Sequence, residues 1–127
     1  MKLFKYIIPS FIIFLLFGFF SSVNAAGPVL DWAKGVGGTG GDWGSNITRD
    51  SSGNTYTTGI FTGTVDFDPG AGTANLTSVG GNDIFVLKLD SSGDFVWVKQ
   101  FGGTLDGAAN EITLDSSGNI YITGWLV

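Results

Sequence analysis

The side chains able to do chemistry are few and nearly all of one kind. The 127-residue sequence contains no histidine and no cysteine. That removes Ser-His and Cys-His nucleophile pairs, metal sites built on those ligands, and disulfides. Carboxylates are left for acid–base or metal work, and the most suggestive pair is Asp66 and Asp68, within Gly63-Thr-Val-Asp-Phe-Asp-Pro-Gly70. Two residues apart on an extended chain, they point the same way. With nearby carbonyls they offer hard oxygen ligands, so Asp66 and Asp68 are the candidate metal site, and calcium is the candidate ion. The spacing lacks the full Asp-x-Asp-x-Asp-Gly loop. A glycosidase-type pair would need environments that push the two pKa values apart, and the sequence supplies none. Pro69-Gly70 directly after Asp68 makes a turn the plainer role. No catalytic residue and no organic cofactor is expected.

The elements that would position these side chains come from a repeat. Asp50-Ser51-Ser52-Gly53-Asn54-Thr55-Tyr56-Thr57-Thr58-Gly59 returns as Asp115-Ser116-Ser117-Gly118-Asn119-Ile120-Tyr121-Ile122-Thr123-Gly124, 65 positions on, and Asp90-Ser91-Ser92-Gly93-Asp94 echoes it between them. Aligning Trp32–Gly59 with Trp97–Gly124 gives 15 identities in 28 columns without a gap. Self-similarity at a fixed period marks a repeat architecture. Each Asp-Ser-Ser-Gly lies between strand-type runs and reads as a hairpin turn: Asp bonds the backbone two residues on, and Gly takes the positive-φ position. One period then holds strand a (46–49), strand b (55–62), a long connection (66–82), strand c (83–89) and strand d (95–101). Strands c and d are nearly continuous apolar runs, as expected when both sheet faces are covered. The expected fold is all-β, built of four-stranded antiparallel propeller blades, with about one and a half repeats of 65 residues.

Gly37-Gly38-Thr39, the two long Asp-Ser-Ser-Gly segments, Gly63–Gly70, Gly81-Asn-Asp-Ile-Phe-Val-Leu-Lys-Leu-Asp90 and Phe95-Val-Trp-Val-Lys-Gln-Phe-Gly-Gly103 together carry a resemblance. Over about Asp31–Gly124 the chain resembles the bacterial beta-propeller repeat family called SBBP. The resemblance implies a secreted or cell-surface protein with many such repeats, and brings no catalytic residues with it.

Residues 1–25 read as a signal peptide: Lys2 and Lys5, an apolar core over 7–20, and Val23-Asn24-Ala25 before the expected cut. The core is shorter than the ~20 residues a spanning helix needs, which disfavours the alternative of a retained anchor. Without the leader, Lys34, Arg49, Lys88 and Lys99 stand against 11 acidic residues, a net charge of −7. Such a chain is no nucleic-acid binder. Export or cell-surface display is expected, with periplasmic transit in a Gram-negative source and membrane contact only through the leader.

Residues 26–45 should form the outer strand of an incomplete blade plus a loop, 46–103 a complete blade, and 104–127 the first two strands of the next. The chain therefore reads as the opening of a longer propeller, cut short. Trp32 and Trp97 recur at the repeat spacing and are read as packing residues. Asn46-Ile47-Thr48 and Asn75-Leu76-Thr77 match the glycosylation acceptor pattern, with incidental occurrence the plainer reading. Tight turns should gather at one end of the sheet. The long connections should gather at the other, bringing Asp42, Trp43, Asp66, Asp68 and Asp106, the expected functional end. The functional expectation is a non-catalytic extracellular module for adhesion, scaffolding or ligand display. Its partners would be other blades, copies of itself, or an extracellular protein or glycan. The alternatives are a fragment of a propeller-scaffolded secreted enzyme, or a truncated reading frame.

Overall fold

A computed structural model of the chain describes Gly27 and Leu30–Val127. The chain divides into two compact units, Met1–Leu30 and Asp31–Val127. The expected leader lies outside the described residues, and the description below concerns the second unit. Among the described residues there is no helix, and hence none long and apolar enough to cross a membrane.

The strands are β1 (Gly37–Gly38), β2 (Trp43–Arg49), β3 (Thr55–Phe61), β4 (Thr64–Asp66), β5 (Asn75–Thr77), β6 (Asp83–Leu89), β7 (Phe95–Phe101), β8 (Gly107–Leu114) and β9 (Ile120–Leu126). β2-β3-β6-β7 form a four-stranded antiparallel sheet, the expected a-b-c-d unit. β8 and β9 form a second, two-stranded antiparallel sheet at the a and b positions of the next repeat.

The three Asp-Ser-Ser-Gly turns are built alike. Gly53, Gly93 and Gly118 have φ of 88°, 81° and 83°, in the left-handed region that glycine enters without a Cβ penalty. Each donates its N–H to the carbonyl of the Asp three residues before, at 3.0–3.1 Å. The side chains of Asp50, Asp90 and Asp115 accept from the amides two and four residues on at 2.8–3.0 Å. These bonds supply partners for amides that leave the ladder at the turn.

The repeat extends to a feature that the residue identities do not announce. The register of β2 against β3 shifts between Gly44 and Asn46, and that of β8 against β9 between Ala109 and Glu111. The extra residues, Ser45 and Asn110, are 65 apart, so a bulge recurs at one place in both copies. The bulge brings the carbonyls of Trp43 and Ala108 against the Cα atoms of Gly59 and Gly124, where a Cβ would collide with backbone. That close approach accounts for glycine at both positions.

Packing follows from β6, which is buried on both faces. On one side Phe85, Leu87 and Leu89 join Phe61, Val65 and Phe67. The Phe61 and Phe67 rings meet edge to face, with centroids 5.3 Å apart, a favoured aromatic geometry. On the other side Tyr56 and Val86 pack against Ile112 of the second sheet, flanked by Trp97, Leu114, Ile120 and Ile122. The second sheet therefore stacks on the back of the first.

Three features differ from the sequence-based expectation. The connection after β3 is not a plain loop: β4 and β5 pair with each other, and β4 also pairs with β1, making a three-stranded sheet. Its alternation is short, but it buries Val65 and delivers Phe67 to the core. β7 is not covered on both faces; Val96 and Phe101 are exposed, as befits an edge strand. Residues 30–36, aligned with strand d, form no strand. A strand d pairs with a strand c, and β6 already holds β7 on that edge. Trp32 instead lies across the β6–β7 turn, its Nε1–H donating to the Ser91 carbonyl at 3.1 Å.

The stacking gives equivalent residues different energetic weights. Ile112→Ala should cost about 2–4 kcal/mol, in the range for a buried large-to-small change. Ile47→Ala, 65 residues earlier and exposed, should stay within about 0.5 kcal/mol. Urea unfolding of both variants checks this; equal costs would contradict the packing.

Candidate functional site

Asp66 ends β4 and Asp68 stands in the turn beyond it. Asp66 Oδ1 accepts the amides of Ala74 at 2.8 Å and Asp68 at 3.0 Å, and these bonds, the Ala74 one foremost, lower its carboxyl from the ordinary value. Asp68 Oδ1 accepts the Gly70 amide at 2.7 Å. Gly72 Cα lies close to Asp68 Oδ2, where a Cβ would collide. The structure thus brings the two carboxylates into one turn and sets both to tying down backbone amides. No group of three or more His, Cys, Asp or Glu side chains that could hold a metal occurs among the described residues.

The other acidic residues of the long-connection end do similar work. Asp42 Oδ2 accepts the Gly38 amide at 2.7 Å, and Asp106 Oδ1 accepts the Asn82 amide at 2.8 Å. Trp43 is not a loop residue; it opens β2 and is exposed. Asn46 lies within β2 and Asn75 opens β5. Asp83 was not singled out from sequence, yet it is fully buried. Its Oδ2 accepts the Val79 amide at 3.1 Å and the Gln100 side-chain amide, tying the β5–β6 loop to β7. Its place at the head of an apolar run, Asp83-Ile84-Phe85-Val86, is the signal that could have found it: an ionisable residue beginning a buried strand needs fixed partners.

At the opposite end the tight turns gather as expected, but that end is richer than serine and glycine suggest. A cleft of about 400 Å³ opens between the first and third turns, lined by Arg49, Asp50, Ser51, Leu114, Asp115 and Ser116 with Gly118. Arg49 Nε donates to the Gly53 carbonyl at 3.2 Å. Beyond the turn amides, Asp50 accepts from the Asn54 side chain at 2.8 Å and the Tyr56 hydroxyl at 3.2 Å. Asp115 does the same with Asn119 at 2.7 Å and Tyr121 at 3.1 Å. These networks, led in each case by the Asn side chain, lower both carboxyls from their ordinary value. Asp90 is lowered too, chiefly by the Asp94 amide.

A second concavity lies between the two sheets, an apolar cavity of about 330 Å³ walled by Ile84, Phe101, Ile122, Gly124, Trp125 and Leu126. It continues the stacked interface toward the ends of β6 and β9.

A repeated turn, a repeated bulge and a sheet stacked on its predecessor define an all-β protein of repeated antiparallel sheets. Residues 96–125, from β7 through β9, match the family model of the beta-propeller repeat, SBBP. The chain is also similar to the uncharacterized WD repeat-containing protein L264 of Acanthamoeba polyphaga mimivirus. The two are 27% identical over 107 residues, covering 73% of this chain and 8% of that protein. This chain therefore corresponds to a small part of that relative's length. No solved structure matches it.

The turn carboxylates set an acid limit. Groups whose folded pKa lies below the unfolded value, ordinarily about 4, stabilise the fold fully above that value. Their contribution is lost as pH falls through the folded pKa. Thermal midpoints should be level above about pH 5 and fall below about pH 4. In the double variant Asp50→Asn/Asp115→Asn the acid limb should be shallower, since two of the titrating groups are gone. An unchanged acid limb would contradict the assignment.

Proposed function

We propose that the chain is a non-catalytic extracellular beta-propeller repeat module that works in adhesion, scaffolding or ligand display. Its apolar sheet faces are built to stack on further repeats, in other blades or in copies of itself. The carrying observation is a pair of comparisons between equivalent positions. Ile112 is 3% exposed where the second sheet meets the first, and its counterpart Ile47, on the outer face of the first, is 62% exposed. Tyr56 is 6% exposed beneath the second sheet, and its counterpart Tyr121 on the far side of that sheet is 55% exposed. One unit thus presents Ile47 and the other presents Tyr121, the two halves of the contact already made once within the chain. Burying a side chain of this size is worth about 1.5–3 kcal/mol, a contribution that favours the stacked arrangement.

The leader pattern of residues 1–25 supports export, and the net charge of −7 without the leader suits a solvated exterior. In a multi-blade assembly the connections held by Asp42, Asp66, Asp68 and Asp106 lie at one end, and the Asp-Ser-Ser-Gly turns at the other. Loops fixed this firmly on a sheet scaffold suit presentation to an extracellular protein or glycan.

Sedimentation velocity over a wide concentration range tests the stacking. The chain should associate, and Ile47→Asp or Tyr121→Asp should weaken association at least tenfold, which corresponds to about 1.4 kcal/mol. A wild type that stays monomeric at high concentration, with no change in either variant, would overturn the reading.

A further inference from the structure

The two copies of the first hairpin agree in the turn and differ just before it. Arg49 closes β2, and Leu114, 65 residues on, closes β8 at the equivalent place. The hairpin forms with either residue, so the guanidinium is not a requirement of the fold.

Arg49 is exposed, yet it is held in place. Its Nε–H donates to the Gly53 carbonyl at 3.2 Å. A Cβ on Gly53 would meet the guanidinium at 2.8 Å, so the group lies over the bare glycine of its own turn. Among the described residues the one ion pair joins Lys34 to Asp94, and Arg49 has no carboxylate partner. It stands in the wall of the cleft of about 400 Å³ between the first and third turns, both of them complete hairpins. A guanidinium fixed through Nε presents its terminal N–H groups as a planar fork, which matches a carboxylate with little further ordering.

The other walls say which anion fits. Asp50 accepts four bonds, from the Ser52 and Asn54 amides, the Asn54 side chain and the Tyr56 hydroxyl. Asp115 accepts the matching four from Ser117, Asn119 and Tyr121. A carboxylate has about four lone-pair sites, so neither group has one left for a metal ion or a ligand hydroxyl. Their charges remain, and two nearby carboxylates repel a phosphate dianion more than a singly charged carboxylate. Ser51 and Ser116 add hydroxyls that can donate and accept, and half-buried Leu114 adds an apolar surface. A small polar lining beside one apolar wall suits a sugar ring, which has hydroxyl edges and C–H faces.

We infer that this cleft binds a carboxylated sugar, with its carboxylate on the Arg49 fork and its hydroxyls on Ser51 and Ser116. The inference takes its ligand class from the extracellular-module reading above, but it uses the turn end of the sheets and not their outer faces.

Glucuronate titrated into the intact chain, followed by amide NMR shifts, provides the test. Saturable shifts should gather at residues 49–53 and 114–118, the two turns that wall the cleft. Arg49→Leu installs the residue that the second copy carries, and should weaken binding at least about tenfold while circular dichroism shows the sheets retained. Arg49→Lys keeps the charge without the fork and should also weaken binding. Ser116→Asp, at an exposed turn position, adds a third like charge and should do the same; it serves as the second variant if Arg49→Leu fails to fold. Glucose and acetate each carry one part of the ligand chemistry and should bind at least about tenfold more weakly than glucuronate. Absence of saturable shifts, or binding unchanged in Arg49→Leu, overturns the proposal. So does acetate binding as tightly as glucuronate, or inorganic phosphate binding more tightly. Association intact without glucuronate binding sinks this inference alone; glucuronate binding in a strictly monomeric chain leaves it standing and sinks the stacking reading.

Discussion

The fold depends on one contact, the packing of Tyr56 and Val86 on one sheet against Ile112 on the next. A sheet that is apolar on both faces cannot leave either in water without losing much of its reason to fold. The chain meets that constraint differently on the two sides of β6. Phe61, Val65, Phe67, Phe85, Leu87 and Leu89 are covered by an accessory sheet drawn from the loops, with Trp32 and Leu76 at its margin. The opposite face is covered by the following repeat. Local structure and repeat stacking therefore share one central strand, and a substitution in β6 affects both.

The turns and bulges serve that contact. Asp50, Asp90 and Asp115 close three hairpins that fix which residues pair across each sheet, and so which face each side chain occupies. A one-residue slip would turn Tyr56 and Val86 away from Ile112. The recurrent bulge at Ser45 and Asn110 brings the Trp43 and Ala108 carbonyls close to strand b, and glycine at 59 and 124 makes room for them. The carboxylates that drew attention as chemistry act mainly as structural acceptors, because each meets backbone amides that leave the ladder.

What was legible in the sequence follows the same physics. The Asp-Ser-Ser-Gly turns announce themselves because an aspartate acceptor and a positive-φ glycine are residue-specific requirements; the flanking strands then follow within a few residues. β1, β4 and β5 were hidden. Gly37-Gly38 carries no side-chain pattern, and Thr64–Asp66 and Asn75–Thr77 are too short to show a period. The bulge was hidden because Ser45 and Asn110 differ, although the paired glycines facing it were a usable signal. Arg49 in the turn-end cleft was passed over because its counterpart is Leu114, so the repeat gave it no emphasis. Asp83 at the head of an apolar run signals a carboxylate in need of fixed partners, but their identity, Val79 and Gln100, comes from the fold.

The most direct test of the central contact is a double-mutant cycle on Tyr56→Ala and Ile112→Ala, measured by equilibrium unfolding. Residues packed together across the repeat boundary should be coupled by about 0.5–3 kcal/mol, so that the double variant loses less stability than the two single losses combined. Strict additivity, within about 0.3 kcal/mol, would show that the two sheets do not meet through these side chains and would contradict the stacked arrangement.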